Sequence, residues 1–358
     1  LYSNTTGEEN TASGYQALYS NISGWYNTAS GGESLYSNTT GSDNTASGSF
    51  ALYSNTSGDF NTASGVSALR NNITGARNTA SGAYALYSNT TGELNTASGY
   101  AALFNNTTGT SNTAVGYQAL DANTTGSFNS ALGTDALGAN TAGYFNVAVG
   151  YQTLDANTTG TENTAVGYAA LGANTTGKQN VAVGSRALAA ATTATGNVAV
   201  GHAALMQNTT GGNNTASGYQ ALYSNTSTNN YNSAFGYKAL YANGAAGAAG
   251  GEYNVAVGYQ ALDANTTGSW NTAVGSDALG ANTTGAHNTV LGYQTLNNAS
   301  MTAGNDNIAL GYQAGAALTS GSNNIYLGYT VTGTGAESNT IRIGNAGNTD
   351  CYLAGAVT

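Results

Sequence analysis

The sequence predicts an all-β protein, a repetitive β-solenoid with seventeen-residue coils. Three observations predict it. A pentapeptide of the NTASG type returns at a fixed interval, and twelve consecutive steps from Asn10 to Asn214 are all seventeen residues long. Glycines hold constant slots inside that interval, as Gly14, Gly31, Gly116 and Gly150 show at the end of the pentapeptide. Composition then excludes an ordinary globular core: 51 glycines, no proline and 6% charged residues in 358. Disordered chains share the low hydrophobicity but are rich in charge and proline, which this chain is not. A fixed period is the mark of units that stack on their neighbours.

Each element of the coil follows from its slot, counted from the first Asn of a repeat. Positions 1 to 4 read N-T-A-S or N-V-A-V and form a short strand. Positions 2 and 4 vary together and share one face, while the nearly constant Ala at 3 takes the other. Gly at 5 makes a corner, because it accepts backbone angles and approaches that a side chain blocks. A second segment, Y-Q-A-L, ends in Leu at 9 (Leu18, Leu120, Leu262). An Asn-Thr-Thr-Gly turn closes the coil. A helix is excluded, since glycine at this density costs about 1 kcal/mol per residue against alanine. Asn at position 1 (Asn112, Asn146) is expected to stack as a ladder between rungs. With strands about 4.8 Å apart, some twenty rungs predict a rod about 95 Å long.

Residues 1–304 read as these coils, with loop insertions near 226–231, 243–253 and 297–306, where the steps lengthen to 18, 22 and 19. Insertions confined to one part of the repeat mark an exposed loop. Residues 305–358 read as more apolar terminal rungs and a C-terminal cap segment. The last step, to about Asn339, is shorter. Leu1 falls at position 9, so the chain reads as a piece of something longer.

Several function classes are disfavoured. The net charge is −10, with 6 Lys+Arg against 16 Asp+Glu, so there is no basic footprint for nucleic acid. No apolar run approaches a membrane span. The single cysteine, Cys351, gives neither a disulfide framework nor a metal site, and no cofactor is implied. The two histidines, His202 and His287, occupy different slots, and Glu8/Glu9 is the one adjacent acidic pair. No catalytic constellation can be argued from them, so the chain is read as a non-enzyme. Asp121, Asp155 and Asp263 stand singly at position 10 of separate rungs, too isolated for a calcium loop. The Asn-x-Ser/Thr sequons at position 12, such as Asn21, Asn38, Asn72 and Asn157, read as turn chemistry.

Positions 16 and 17 vary most. Trp25, Tyr26, Phe60, Phe128, Tyr144, Phe145, Trp270 and His287 lie there. A fixed scaffold with one varied column suits a binding surface, and exposed aromatics stack on sugar rings and other ligands. Tyrosines form two further columns, at position 6 (Tyr15, Tyr117, Tyr259) and position 10 (Tyr19, Tyr53, Tyr223), expected to stack as ladders.

The rungs NVAVG, NIALG and NIYLG resemble the S-V-A-I-G strand of trimeric autotransporter adhesin heads. The longer unit NTAVGYQALxANTTGxx looks like the repeats of phage tail fibres, and residues 338–358 are similar to the segment that ends such fibre shafts. The resemblance covers the whole chain. It implies a homotrimeric β-roll, with positions 2 and 4 toward an interior shared by three chains, and a host-surface receptor (glycan or protein) as partner. It implies a location on a virion tail fibre, outside the cell or on its surface. Two departures stand out: the N-terminal rungs carry TAS where the adhesin strand is apolar, and the self-cleaving chaperone domain is absent. The expected function is therefore a fibrous attachment protein acting by multivalent binding. The alternatives are a structural extracellular filament and an ice-binding solenoid, for which the Thr rows at positions 13 and 14 come into question although the adjoining Asn and varied loops break their flatness.

Overall fold

The computed structural model describes residues 1–226, 230–244, 250–298, 303–345 and 347. Much of the three expected loop insertions (227–229, 245–249 and 299–302), Cys351 and most of the cap segment lie outside the described residues. The chain divides into two compact units, Leu1–Asn180 and Val181–Thr358. The all-β solenoid is the observed fold: the described elements are strands of three residues joined by turns.

In the first unit the strands are β1 (Thr11–Ser13), β2 (Thr28–Ser30), β3 (Thr45–Ser47), β4 (Thr62–Ser64), β5 (Thr79–Ser81), β6 (Thr96–Ser98), β7 (Thr113–Val115), β8 (Ser130–Leu132), β9 (Val147–Val149) and β10 (Thr164–Val166). Each pairs with the next in parallel, slot against slot, so that Thr62 faces Thr79 and Ala63 faces Ala80. The second unit holds β11 (Val181–Val183), β12 (Val198–Val200), β13 (Thr215–Ser217), β14 (Ser233–Phe235), β15 (Val255–Val257), β16 (Thr272–Val274), β17 (Thr289–Leu291), β18 (Ile308–Leu310), β19 (Ile325–Leu327) and β20 (Ile341–Ile343). Register survives every lengthened step: Thr215 faces Ser233, Ser233 faces Val255 and Thr289 faces Ile308. The final step is sixteen residues rather than fifteen, because Ile325 pairs with Ile341 and Thr340 takes the position-1 slot.

Each coil closes around a core of its own. Ala at 3, Ala at 8 and Leu at 9 are fully buried in coil after coil, as in Ala63, Ala68 and Leu69. Burial of one such leucine contributes about 1.5–3 kcal/mol. Small residues suffice because the coil is narrow. Val290 and Tyr326, which replace Ala at position 3 near the C-terminal end, are buried as well. Positions 2 and 4 point out of the coil, so a core shared between chains would have to form on that outer face.

Polar groups inside the coil are paired by stacking. Asn61 at position 1 donates its amide to Asn44 Oδ1 at 3.1 Å and to the Gly75 carbonyl at 2.9 Å. The expected ladder is present, and the sequon asparagines form a second one. Asn72 at position 12 donates to Asn55 Oδ1 and to Gly75 O, both at 2.8 Å. The two ladders meet at the carbonyl of position 15. These sequon residues are buried, from Asn21 through Asn174 in the first unit.

The second segment, Y-Q-A-L, is a turn. Its residues at 7 and 9 have left-handed angles, with φ +56° at Ser67 and +50° at Leu69. Their N–H groups point in opposite axial directions: Ser67 donates back to Ser49 O and Leu69 forward to Ala85 O, both at 2.9 Å. The corner thus continues rung-to-rung bonding outside the strands. Gly65 at position 5 has φ +136°, and a Cβ there would stand 2.6 Å from the Gly82 carbonyl. The absence of proline follows, because its φ and missing N–H fit few of these slots.

Candidate functional site

The varied column sits on a backbone as fixed as the rest. Position 17 is left-handed in every candidate there: φ is +56° at Tyr26 and Phe60, +59° at Phe128, +55° at Phe145, +62° at Trp270 and +58° at His287. Its N–H donates to position 16 of the preceding coil, as Trp270 does to Glu252 O and His287 to Ser269 O, each at 3.0 Å. This geometry holds whatever side chain is present, and it turns the side chain outward. Trp25 and Tyr144 at position 16 are exposed too. All eight candidates therefore lie on the surface.

The structure brings some of them together. Phe128 stacks on Phe145 at 4.9 Å, and Tyr144 meets Phe145 edge-on at 5.5 Å. Trp25 and Tyr26 lie 6.3 Å apart, tilted by 57°. Phe60 has no ring partner among the described residues, and the Arg77 guanidinium lies 5.7 Å over it. In the second unit Trp270 and His287 belong to a longer column that the candidate list missed. Tyr231 stacks on Tyr253 at 5.0 Å, Tyr253 on Trp270 at 4.0 Å, and Trp270 on His287 at 6.5 Å. His287 Nδ1 is 3.7 Å from Asp306 Oδ1 in the next coil. Both missed tyrosines directly precede a position-1 Asn, Asn232 and Asn254. Counting back from that Asn, rather than forward across an insertion, finds them.

Stacking changes what the column offers. Inside a stack, ring faces are occupied by neighbouring rings, and the outward surface is a row of edges and polar tips. Rings without a stacked neighbour, such as Trp25, keep a face available. The tyrosine ladders behave alike. Tyr2, Tyr19, Tyr36 and Tyr53 stack at 4.9, 5.2 and 5.2 Å. At position 6, His202, Tyr219, Tyr237 and Tyr259 stack at 5.3, 5.3 and 5.2 Å.

The aspartates at position 10 are less isolated than their spacing suggests. Asp121 and Asp155 flank Gly138, the small residue of the intervening coil. A Cβ at Gly138 would stand 3.7 Å from Asp121 Oδ1 and 2.8 Å from Asp155 Oδ1. Burial raises the pKa of both carboxyls, and the Asp135 charge adds to it. In the second unit Gly280 lies between Asp263 and Asn297, and a Cβ there would stand 3.2 Å from the Oδ1 of each; burial pushes the Asp263 pKa up to about 6. Gln260 Nε2 donates to its Oδ2 at 3.1 Å. Near the C-terminal end, Arg342 donates to Glu337 at 3.0 and 2.6 Å, and the buried Tyr326 hydroxyl donates to Glu337 at 2.8 Å. The Arg342 bonds hold the Glu337 carboxyl down to about 2.

Among the described residues no three His, Cys, Asp or Glu side chains are grouped to hold a metal. No described helix is long and apolar enough to cross a membrane. No protein-family model and no curated protein matches the chain.

Proposed function

We propose that this chain is the shaft or receptor-binding region of a fibrous attachment protein, of the phage tail-fibre or surface-adhesin kind, that binds a host-surface glycan or protein by repetition. The observation that carries the reading is the position-17 column. A constant backbone presents a changing side chain once per coil, and many of those side chains are aromatic and exposed. Large exposed aromatics cost solubility without adding to the coil's own core, so a contact with a partner accounts for them. Repeated weak contacts then gain by avidity.

A second observation favours association of copies, as three parallel chains. Every strand of the second unit except β13 carries at least one Val, Ile, Leu or Phe at positions 2 and 4, and most of these are exposed. An apolar face of this extent, interrupted only at β13 among the described strands of this unit, marks an interaction surface. Light scattering on the purified chain tests it: three chains per particle is the expected mass, and one chain per particle removes the trimer.

The attachment reading is tested by sedimenting the labelled chain with lipopolysaccharide, peptidoglycan and outer-membrane vesicles from candidate hosts. Binding that falls in the double variant Trp270→Ala/His287→Ala, with the melting curve unchanged, is the expected result. If the wild-type chain sediments with none of them and instead polymerises end to end, the structural-filament reading replaces this one.

A further inference from the structure

The outward strand face of β1–β6 differs from that of β7–β10. All six strands read TAS, with Ala inward in β2–β6 and hydroxyls on both outer positions. Parallel in-register pairing lines these up as a threonine row (Thr28 facing Thr45, Thr45 facing Thr62) and a serine row (Ser30 facing Ser47, Ser47 facing Ser64). Neighbours within a row are about 4.8 Å apart, and the two rows are about 6.6 Å apart. Five such steps give an array about 24 Å long.

Two features make this array a surface for an ordered lattice. First, it is in strict register: each strand pairs with the next slot against slot, with no insertion from β1 to β6. Second, its hydroxyls are unspent. Those of Thr28, Thr45, Thr62 and Thr79 bond no protein group among the described residues, and these residues are exposed. The position-13 threonines are the opposite case: Thr39 donates to Thr56 O at 2.9 Å and Thr90 to Thr107 O at 3.0 Å. The rows at 13 are therefore committed to the coil, and the free rows lie at 2 and 4.

We propose that the Thr/Ser face of β1–β6 binds ice. The face carries no charge and no large apolar group, so it complements an uncharged hydrogen-bonding solid rather than a protein. The spacing along its rows lies close to the shorter oxygen repeat on a prism face of hexagonal ice. Each threonine offers one hydroxyl and one methyl, which together hold a water in one orientation. A rigid array loses little entropy on docking, and many weak contacts act together. The proposal does not rest on the attachment reading, which uses position 17 and the apolar face of the second unit.

The test is partition of the full chain into a slowly growing ice hemisphere, with inhibition of recrystallisation as a second readout. Wild type is expected to enter the ice. Thr62→Lys, in the middle of the array, is expected to lose most of that incorporation. Glu93→Lys adds the same side chain at position 16 of the same unit, away from the array, and is expected to behave as wild type. Should Thr62→Lys fail to fold by circular dichroism, Thr79→Ala removes a hydroxyl and a methyl without adding charge, and is expected to be excluded more than wild type. Exclusion of the wild-type chain from ice overturns the proposal, including where it sediments with crystalline cellulose or chitin instead. So does undiminished incorporation of the folded array variants.

Discussion

Replacing Asn61 by Ala tests whether the buried asparagine ladders hold the coils together. Asn61 makes four side-chain bonds. It donates to Asn44 Oδ1 at 3.1 Å and Gly75 O at 2.9 Å, and its Oδ1 accepts the backbone N–H of Asn78 at 3.0 Å and the Asn78 amide at 3.2 Å. Truncation deletes all four. Gly75 O keeps the bond from Asn72, and the Asn78 amide keeps its bond to Gly92 O. The Asn78 backbone N–H loses the bond that served it inside a buried site. Four net bonds at about 0.5–1.5 kcal/mol each, with one of the groups left buried and unpaired, put the loss at about 3–5 kcal/mol. That is a large share of the 5–15 kcal/mol typical of a domain, and in a stacked protein it falls on one interface between coils.

Hydrogen-exchange mass spectrometry is the assay, because it reads opening coil by coil. Asn61→Ala is expected to raise exchange sharply in β4 and β5, with far coils changed least. Thr56→Val is the comparison: it removes an exposed hydroxyl bond to Ile73 O at 3.0 Å, and the expected loss is below about 1 kcal/mol. Asn61→Asp still accepts from Asn78 but opposes its oxygen to Asn44 Oδ1 and buries a charge. Burial raises that carboxyl's pKa, so its destabilisation is expected to be largest at neutral pH and to ease on acidification. If Asn61→Ala costs no more than Thr56→Val, the ladder is decoration and the argument fails.

Three further outcomes follow. Gly65→Ala places a methyl 2.6 Å from the Gly82 carbonyl at φ +136°, and is expected to unfold its neighbourhood in a denaturant titration, whereas Gly32→Ala, whose nearest neighbour is Ser49 Oγ at 3.7 Å, is expected to be tolerated. Asp263, raised to about 6, binds more protons folded than unfolded between about pH 4 and 6, so stability contributed there falls as pH rises through that window. Thermal melts are expected to show that slope, and Asp263→Asn to flatten it. Glu337, held at about 2, works in the opposite sense: its contribution is present above its ordinary pKa of 4.5 and is lost as pH falls toward 2, and Glu337→Gln is expected to reduce that acid loss.

The coil itself was legible because every slot obeys a local rule that repeats. The seventeen-residue step, the Asn ladder at position 1, the inward Ala at 3 and the Gly corner at 5 could be read from one repeat and checked on the next. What stayed hidden was conformation that no propensity favours. Leu69 and its counterparts take left-handed angles, which cost a non-glycine residue about 1–2 kcal/mol. Composition points to glycine for such a slot. The slot also faces the core, and the burial of a leucine outweighs the angle. Position 17 hides for a related reason: Asp43, Arg77 and Leu94 have little in common but their φ.

The candidate surface was legible as a column but not as a set of contacts. Variation at positions 16 and 17 located the eight aromatic and histidine side chains. Which rings would stack depended on which neighbours happened to be aromatic. Phe128 meets Phe145 because they are consecutive, while Phe60 is left with Arg77. The pair Asp121 and Asp155 needed one fact more, that Gly138 vacates the slot between them. The outer faces at positions 2 and 4 show the same limit from the other side. Sequence assigned both positions one shared face, but only the closed coil decides that this face is outside. Once it is outside, valine and threonine cease to be equivalent strand formers. Valine there asks for a partner that removes it from water, and threonine with a free hydroxyl asks for one that is itself hydrogen-bonded. A single backbone repeat can therefore carry two unlike surfaces, and the change from TAS to VAV along the chain is a change of surface rather than of fold.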